Sequence, residues 1–197
     1  MVWIKPFELT GQFVVLKPLD PSHASALTEA VADGELWKLW YTSVPAPERI
    51  ESEIARRLAL QEAGSMQPFL VEERHTGKAL GMTTYMNIES RHRRLEIGST
   101  WYRASVQRSP VNTECKKLLL GQAFDALSCI AVEFRTNALN RQSRMAIERL
   151  GAKLDGILRS HQIVDGDLLR DTCVYSIVAN EWPAIRKHLD WQLERPR

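Results

Sequence analysis

Cysteine, long apolar runs and net charge are all scarce in this chain of 197 residues. Its three cysteines, Cys115, Cys129 and Cys173, have no metal-ligand spacing and cannot all pair within one chain. That excludes a disulfide framework or a zinc module, and it points to three small core residues in a reducing compartment. No stretch approaches the ~18 uninterrupted apolar residues of a membrane span, and no early run has the form of a secretory leader. The expectation is a cytoplasmic protein without membrane contact. The formal net charge of +2 is too small to argue for nucleic acid as a partner. The one dense basic run, Arg91, His92, Arg93 and Arg94, reads as a solvated turn or, alternatively, as a lure for an anionic ligand. The five histidines are scattered, so no metal site is expected, and neither Cys115 nor Cys129 shows a histidine partner that would make it a nucleophile. Repeats, low-complexity tracts and linkers are also lacking.

What is present is ordinary globular material, 44% apolar and 25% charged, and a single domain over 1–197 is the expectation. Residues 13–16 (FVVL) read as a first strand, and Ser22 as the cap of a helix ended by Asp33 and Gly34. A second helix is predicted after Pro47, with Ile50, Ile54, Leu58 and Gln61 on one face and a stop at Gly64. Strands over 69–72, 79–86 and 95–102 make an antiparallel meander turned at residues 75–78. An amphipathic helix over 112–127 buries Leu118, Leu119, Ala123 and Leu127, a strand follows over 130–134 and a helix starts at Asn140, which together read as a βαβ-like crossover. Strands over 156–164 and 168–178 flank the hairpin signal Asp165-Gly166, and a helix over 181–193 closes the chain. The fold class is mixed α/β.

The most informative segment is 140–156, NRQSRMAIERLGAKLDG. Asn140 suits an N-cap, Ala146, Ile147 and Leu150 give an apolar helical face, and Gly151 suits the position past the helix end where positive φ is needed. A strand before it places Asn140 and Ser143 at the mouth of a strand-to-helix crossover, where α/β proteins bind ligands.

Asn140, Ser143, Glu148, Arg149, Leu150, Gly151, Ala152, Asp155, Gly156 and the strand over 168–177 resemble the C-terminal half of the GCN5-related N-acetyltransferases, particularly the RimJ/RimL-like branch. Glu96, Ile97 and Gly98 before Trp101, then residues 107–114 opening a long helix, are similar to the preceding part of that pattern in the same order. The resemblance implies a mostly antiparallel central sheet splayed between its fourth and fifth strands, here those at Leu95 and Ile130, with acetyl-CoA in the split.

Within that resemblance, Gln107, Arg108, Ser109, Val111, Asn112 and Thr113 occupy the turn that cradles the coenzyme A pyrophosphate with amides at a helix start. Gln107 matches the family pattern. Pro110 and Asn112 depart from it, and Pro110 lacks an N–H; the other reading is a rigid loop that has lost the cofactor. Glu96 is the base candidate for the attacking amine, or else a strand carboxylate paired with an arginine such as Arg94. Many relatives carry a tyrosine acid where this chain has Ile147, so Ser143 is the substitute for protonating the thiolate, or else a cap or pantetheine contact. Asn140 orients pantetheine or substrate, or only caps. Amides near residues 99–102 hold the thioester carbonyl, and Trp101 and Tyr102 pack on pantetheine or belong to the core. Trp37, Trp40 and Tyr41 line the acceptor pocket or form a packed helical face.

The expected activity is direct transfer of acetyl from acetyl-CoA to an amine acceptor, either a protein N-terminus or a small molecule. The alternatives are a degenerate acyl-CoA sensor, or a scaffold that oligomerises, for example as a homodimer, through Trp182, Ile185, Leu189, Trp191 and Leu193 of the terminal helix.

Overall fold

The computed structural model describes residues 3–195. Eight strands, β1 (Leu9–Thr10), β2 (Val14–Pro18), β3 (Gln67–Glu73), β4 (Ala79–Glu89), β5 (Arg94–Tyr102), β6 (Ala131–Asn137), β7 (Lys153–Val164) and β8 (Leu168–Val178), form one sheet. Their order is β1-β2-β3-β4-β5-β6-β8-β7. All neighbours are antiparallel except β5 and β6. The helices are α1 (Ala24–Ala32), α2 (Ile50–Glu62), α3 (Val111–Gly121), α4 (Arg141–Arg149) and α5 (Trp182–Glu194). Because β5 and β6 are parallel, α3 must cross over between them, as the βαβ pattern requires.

Alternation along the strands sends apolar side chains to both faces, and each face has its own core. On one face, Leu95, Ile97, Val132, Phe134, Tyr175 and Ile177 pack with Cys115, Leu119, Ile147 and Leu189 from α3, α4 and α5. On the other, Leu70, Met82 and Trp101 pack with Leu27, Val31, Ile50 and Ile54 from α1 and α2. The three cysteines are free and buried. The apolar surface expected of α5 is largely consumed here: Trp182, Ile185 and Leu189 are buried against the chain's own core and Trp191 is left exposed.

Several local expectations need correction. The cap lies at Asp20, ahead of a 3₁₀ turn (Pro21–His23) that leads into α1: its carboxylate accepts from the Ser22 amide at 2.9 Å while His23 Nδ1 accepts from the Asp20 amide. A reciprocal box of this kind outcompetes a lone serine. In α2 the third buried position is Arg57, with Leu58 only half-buried against the core. The α3 helix buries Glu114, Cys115 and Lys116 in addition to Leu119, and gives way to a π-helical turn over Gln122–Ala126. Elsewhere the local signals hold: Asn140 caps α4 by accepting from the Ser143 amide at 3.0 Å, and Gly151 follows it at φ +95°.

Buried Glu114 explains how α3 is seated. Its carboxylate accepts from the amides of Gln12, Phe13 and Val14 at 2.7, 2.7 and 2.9 Å, which fastens the β1–β2 turn to the helix. Gly11 is required beside it, since a Cβ there would lie 2.4 Å from the Glu114 carboxyl carbon. Charged acceptors make the stronger hydrogen bonds, and without Glu114 three amides, that of Val14 buried, lose their partner together. Glu114→Ala is expected to lower stability by about 2–4 kcal/mol, read as a lower urea midpoint at unchanged slope; an unaltered midpoint would contradict this role.

Candidate active site

The parallel ladder between β5 and β6 contains Arg94↔Ala131, Leu95↔Val132 and Glu96↔Glu133, and there it stops. Both strands continue, β5 to Tyr102 and β6 to Asn137. From Ile97 onward the β6-facing flank of β5 has no ladder partner, so its backbone polar groups face an opening. On its other flank β5 stays paired with β4, but the register slips: Met82 faces Trp101 and Thr84 faces Gly98. Ser99 and Thr100 therefore share the place opposite Thr83. This bulge puts Ser99 at φ +47° and leaves it exposed at the opening.

Two helix starts flank the opening. The α3 helix begins after the loop that holds Gln107, Arg108 and Ser109, and α4 begins where β6 ends. Gln142 Nε2 in the first turn of α4 donates to Gln107 Oε1 at 3.3 Å, which brings the two starts to one mouth. The α4 helix is docked from behind by Tyr175, whose hydroxyl donates to Glu148 at 2.7 Å and accepts from Arg144 at 3.0 Å. Pro110 takes helical angles, φ −62° and ψ −22°, as the residue just ahead of α3, so its missing N–H falls where a helix needs none.

Not every expected phosphate contact is available. The Ser109 hydroxyl donates to the Val106 carbonyl at 2.6 Å and accepts from the Val111 amide at 3.3 Å, so both are used inside the loop. The Thr113 side chain is buried and its hydroxyl has no partner among the described residues. What the turn offers a ligand is the first-turn amides of Asn112 and Thr113 with the Gln107, Arg108 and Asn112 side chains around them. Arg108 is exposed in a left-handed conformation, φ +61°.

The pantetheine-packing roles expected of Trp101 and Tyr102 give way to core roles. The Trp101 ring is buried on the α1/α2 face and the Tyr102 ring on the α3 face, because neighbouring strand positions point to opposite sides. Their backbone alone borders the opening.

Glu96 lies on the α1/α2 face, 5% exposed. Its Oε2 accepts from Asn87 Nδ2 at 2.7 Å and lies 3.6 Å from Arg135 Nε. Arg94, the partner suggested by the sequence, pairs with Glu133 instead. Burial pushes the Glu96 carboxyl above the ordinary carboxylate range; the Asn87 bond and the Arg135 charge oppose this, and Glu133 adds to it. A carboxylate raised in this way accepts a proton more readily near neutral pH. Asn87, Glu133 and Arg135 were missed by sequence reasoning, although the alternation Val132, Glu133, Phe134, Arg135 was a signal that two charges on β6 share the face of Glu96.

Asn140 and Ser143 belong to α4, which packs on the opposite face from Glu96. Glu133, opposite Glu96, precedes Asn137 by four residues, or ~13 Å of strand at ~3.3 Å per residue. The sheet thus separates the base candidate from Ser143, and the unpaired gap between β5 and β6 is the passage between them. An open groove of about 650 Å³ lies across the uncovered face of β6, β8 and β7, lined by Arg94, Glu133, Arg135, Asp155, Leu158 and Val174 among others; Glu96 does not line it, although its neighbours Glu133 and Arg135 do. On that same face lies the α1–α2 connection. There Trp37 is half-buried against the core, in a 3₁₀ turn, while Trp40 is 61% exposed with Tyr41 edge-on to it at 5.7 Å. The two tryptophans do not form a packed helical face. Among the described residues no cluster of histidine, cysteine and acidic side chains could hold a metal ion, and no helix is long and apolar enough to cross a membrane.

A parted parallel pair, with a carboxylate on one face and two helix starts on the other, is the architecture of an acyl-CoA-dependent transferase. The chain belongs to the GNAT acetyltransferase family, whose acetyltransferase (GNAT) domain matches residues 14–153. It is similar to a GCN5-related N-acetyltransferase from Brucella melitensis, with 27% identity over 95% of this chain and 86% of that one and a TM-score of 0.83. It shares its fold with Mycobacterium smegmatis RimJ in complex with CoA-disulfide, at 24% identity, 91% and 88% coverage and a TM-score of 0.76. It also shares it with RimL, a ribosomal alpha-N-protein acetyltransferase in apo form, at 18% identity, 89% and 96% coverage and a TM-score of 0.78. No curated protein matches the chain in sequence.

The charges around Glu96 yield opposed predictions for the acidic limb of the pH–rate profile. Arg135→Met removes a cation that favours the carboxylate, so the limb should move to higher pH; Glu133→Gln removes a repelling anion, so it should move to lower pH. Identical limbs in both variants would show that another group controls them.

Proposed function

We propose that residues 1–197 act as one cytoplasmic domain, an acetyl-CoA-dependent N-acetyltransferase that moves acetyl directly to a primary amine. The acceptor is a protein N-terminus, as the RimJ/RimL-like resemblance suggests, or a small-molecule amine. The observation that carries this reading is the gap beyond Glu96↔Glu133, which joins the face of Glu96 to the two helix starts. The fold neighbour solved with CoA-disulfide supports coenzyme A as the ligand.

The residues present suit that ligand. The Asn112 and Thr113 amides, with Gln107, Arg108 and Asn112 side chains, would hold its phosphates, and Asn140 would orient its pantetheine arm through the amide NH₂, since the amide oxygen is engaged in the cap. When bound, it supplies an activated thioester and a thiol leaving group. Unpaired amides of β5 would receive the carbonyl oxygen and stabilise it as charge develops. From the α1/α2 face, Glu96 would take the proton of the attacking amine, directly or through water, and Ser143 would donate a hydrogen bond to the departing sulfur. Trp40 and Tyr41 would border the acceptor.

One observation favours a second reading. Ile147, at the position of the tyrosine acid in many relatives, is buried in the core, so α4 offers no phenol, and a chain that binds acyl-CoA without turnover is consistent with that loss. The two readings part in an assay of thiol release with acetyl-CoA over a panel of peptides and small amines. Turnover is expected, and Glu96→Gln should reduce kcat/KM by ~10²-fold above the acidic limb, where the carboxylate is ionised, and by less below it, with acetyl-CoA affinity within twofold. Binding without release on any amine would favour the sensor, and full activity of Glu96→Gln would remove Glu96 as base.

A further inference from the structure

Two buried cations that the proposed chemistry does not use lie on opposite faces of the sheet at the same bulge. Arg57 of α2 is 1% exposed. Its Nη1 donates to Thr84 Oγ1 at 2.6 Å, both terminal nitrogens lie 3.3 Å from the Ser99 carbonyl oxygen, and Nε donates to Glu53 at 2.7 Å. Lys116 of α3 is 6% exposed. Its Nζ donates to Thr100 Oγ1 at 2.7 Å and to Thr83 Oγ1 at 3.1 Å. The two threonine hydroxyls are 2.8 Å apart, and Thr100 reaches the Gly98 carbonyl at 3.3 Å. One assignment accommodates both hydroxyls: Thr100 donates to Gly98, Thr83 donates to Thr100, and Lys116 donates to both.

The residues held in this way, Thr83 and Thr84 on β4 with Ser99 and Thr100 on β5, are those across which the register slips. A bulge with a non-glycine residue at positive φ is an unfavourable conformation that persists where its surroundings over-determine it. Burying a lysine on two hydroxyls is a poor route to stability, since an apolar side chain of similar volume would avoid the desolvation penalty. Burial pulls the Lys116 ammonium down to a pKa of about 8, a sign of that penalty. Its placement makes sense if the geometry of the bulge itself is what the residue secures.

Resting on the acetyltransferase reading, we propose that Arg57 and Lys116 are positioning residues that clamp the Ser99–Thr100 bulge from both faces and so preset the β5 amides that receive the thioester carbonyl. Lys116 also ties α3, whose start holds the phosphates in that reading, to the same bulge, so that the two ends of the ligand site keep a fixed spacing. Neither residue touches the reacting atoms.

The test uses the full chain with Lys116→Met, Thr100→Val and Thr100→Ser, which alter the clamp with little change in volume, and Arg57→Lys, which keeps the charge but lacks the separate nitrogens that hold Glu53 and the bulge at once. Amide hydrogen exchange is read over residues 97–102, with kcat and acetyl-CoA affinity alongside. Lys116→Met and Thr100→Val should each speed exchange of the bulge amides at least tenfold and lower kcat by about tenfold, with acetyl-CoA affinity within twofold. The double variant should be no worse than the poorer single one, and Thr100→Ser, which keeps the hydroxyl, should restore most of the protection. Wild-type exchange at the bulge in folded Lys116→Met and Thr100→Val would overturn the clamp, as would a valine effect that serine shares. Failure of the wild-type chain to bind acetyl-CoA would instead sink the reading beneath the proposal, and the exchange result would still decide the clamp.

Discussion

The structure turns on the shortness of one ladder. Had β5 and β6 paired along their full lengths, the sheet would be closed between its faces and the two helix starts would overlook a continuous surface. Pairing ends at Glu96↔Glu133, and the strands diverge over the following residues. That divergence leaves backbone donors unpaired, exposes the bulge at Ser99, and parts the sheet between the face of Glu96 and the α3 and α4 starts on the other. The carboxylate of Glu96 stands at the last paired step, where the closed sheet becomes an opening.

Around that opening the chain spends its buried polar groups with a consistent logic. Glu114 satisfies three amides of the β1–β2 turn and so seats α3. Glu148 and Arg144 hold the Tyr175 hydroxyl and so seat α4. Each buried charge has hydrogen-bond partners, which is the condition under which burial is tolerated. At Glu96, as at Lys116, burial opposes the charge, and for a carboxylate that favours taking up a proton. One departure from the family pattern, Pro110, fits the fold, since it sits in helical geometry just before the first turn of α3.

Much of this was legible in the sequence where the signal is local. The N-cap at Asn140, the stop at Gly151, the turn at Gly77 and the order of strands and helices follow from spacing and turn chemistry, and the ordered motifs identified the family. The interior charges were not legible. Arg57 and Lys116 occupy apolar positions on α2 and α3, and a charged residue on an amphipathic helix reads as solvated until its tertiary partners are known. The partners of Glu96 come from β4 and β6, a register that sequence spacing does not encode. Trp37 and Trp40, three residues apart, suggest one helical face, but a single 3₁₀ turn ending before Trp40 sends them to different environments. Ser109 and Val111 match an anion-binding turn in type, yet their groups bond to each other, which only the folded loop reveals.

If acetyl-CoA occupies the gap between β5 and β6, an amide NMR titration of the full chain with acetyl-CoA will locate it there. Saturable perturbation of the amides of Ser99 to Trp101 on β5, together with Asn112, Thr113 and Asn140 at the helix starts, is the predicted result. Saturable binding whose perturbations lie elsewhere, leaving both the bulge and the α3 start unmoved, would contradict it.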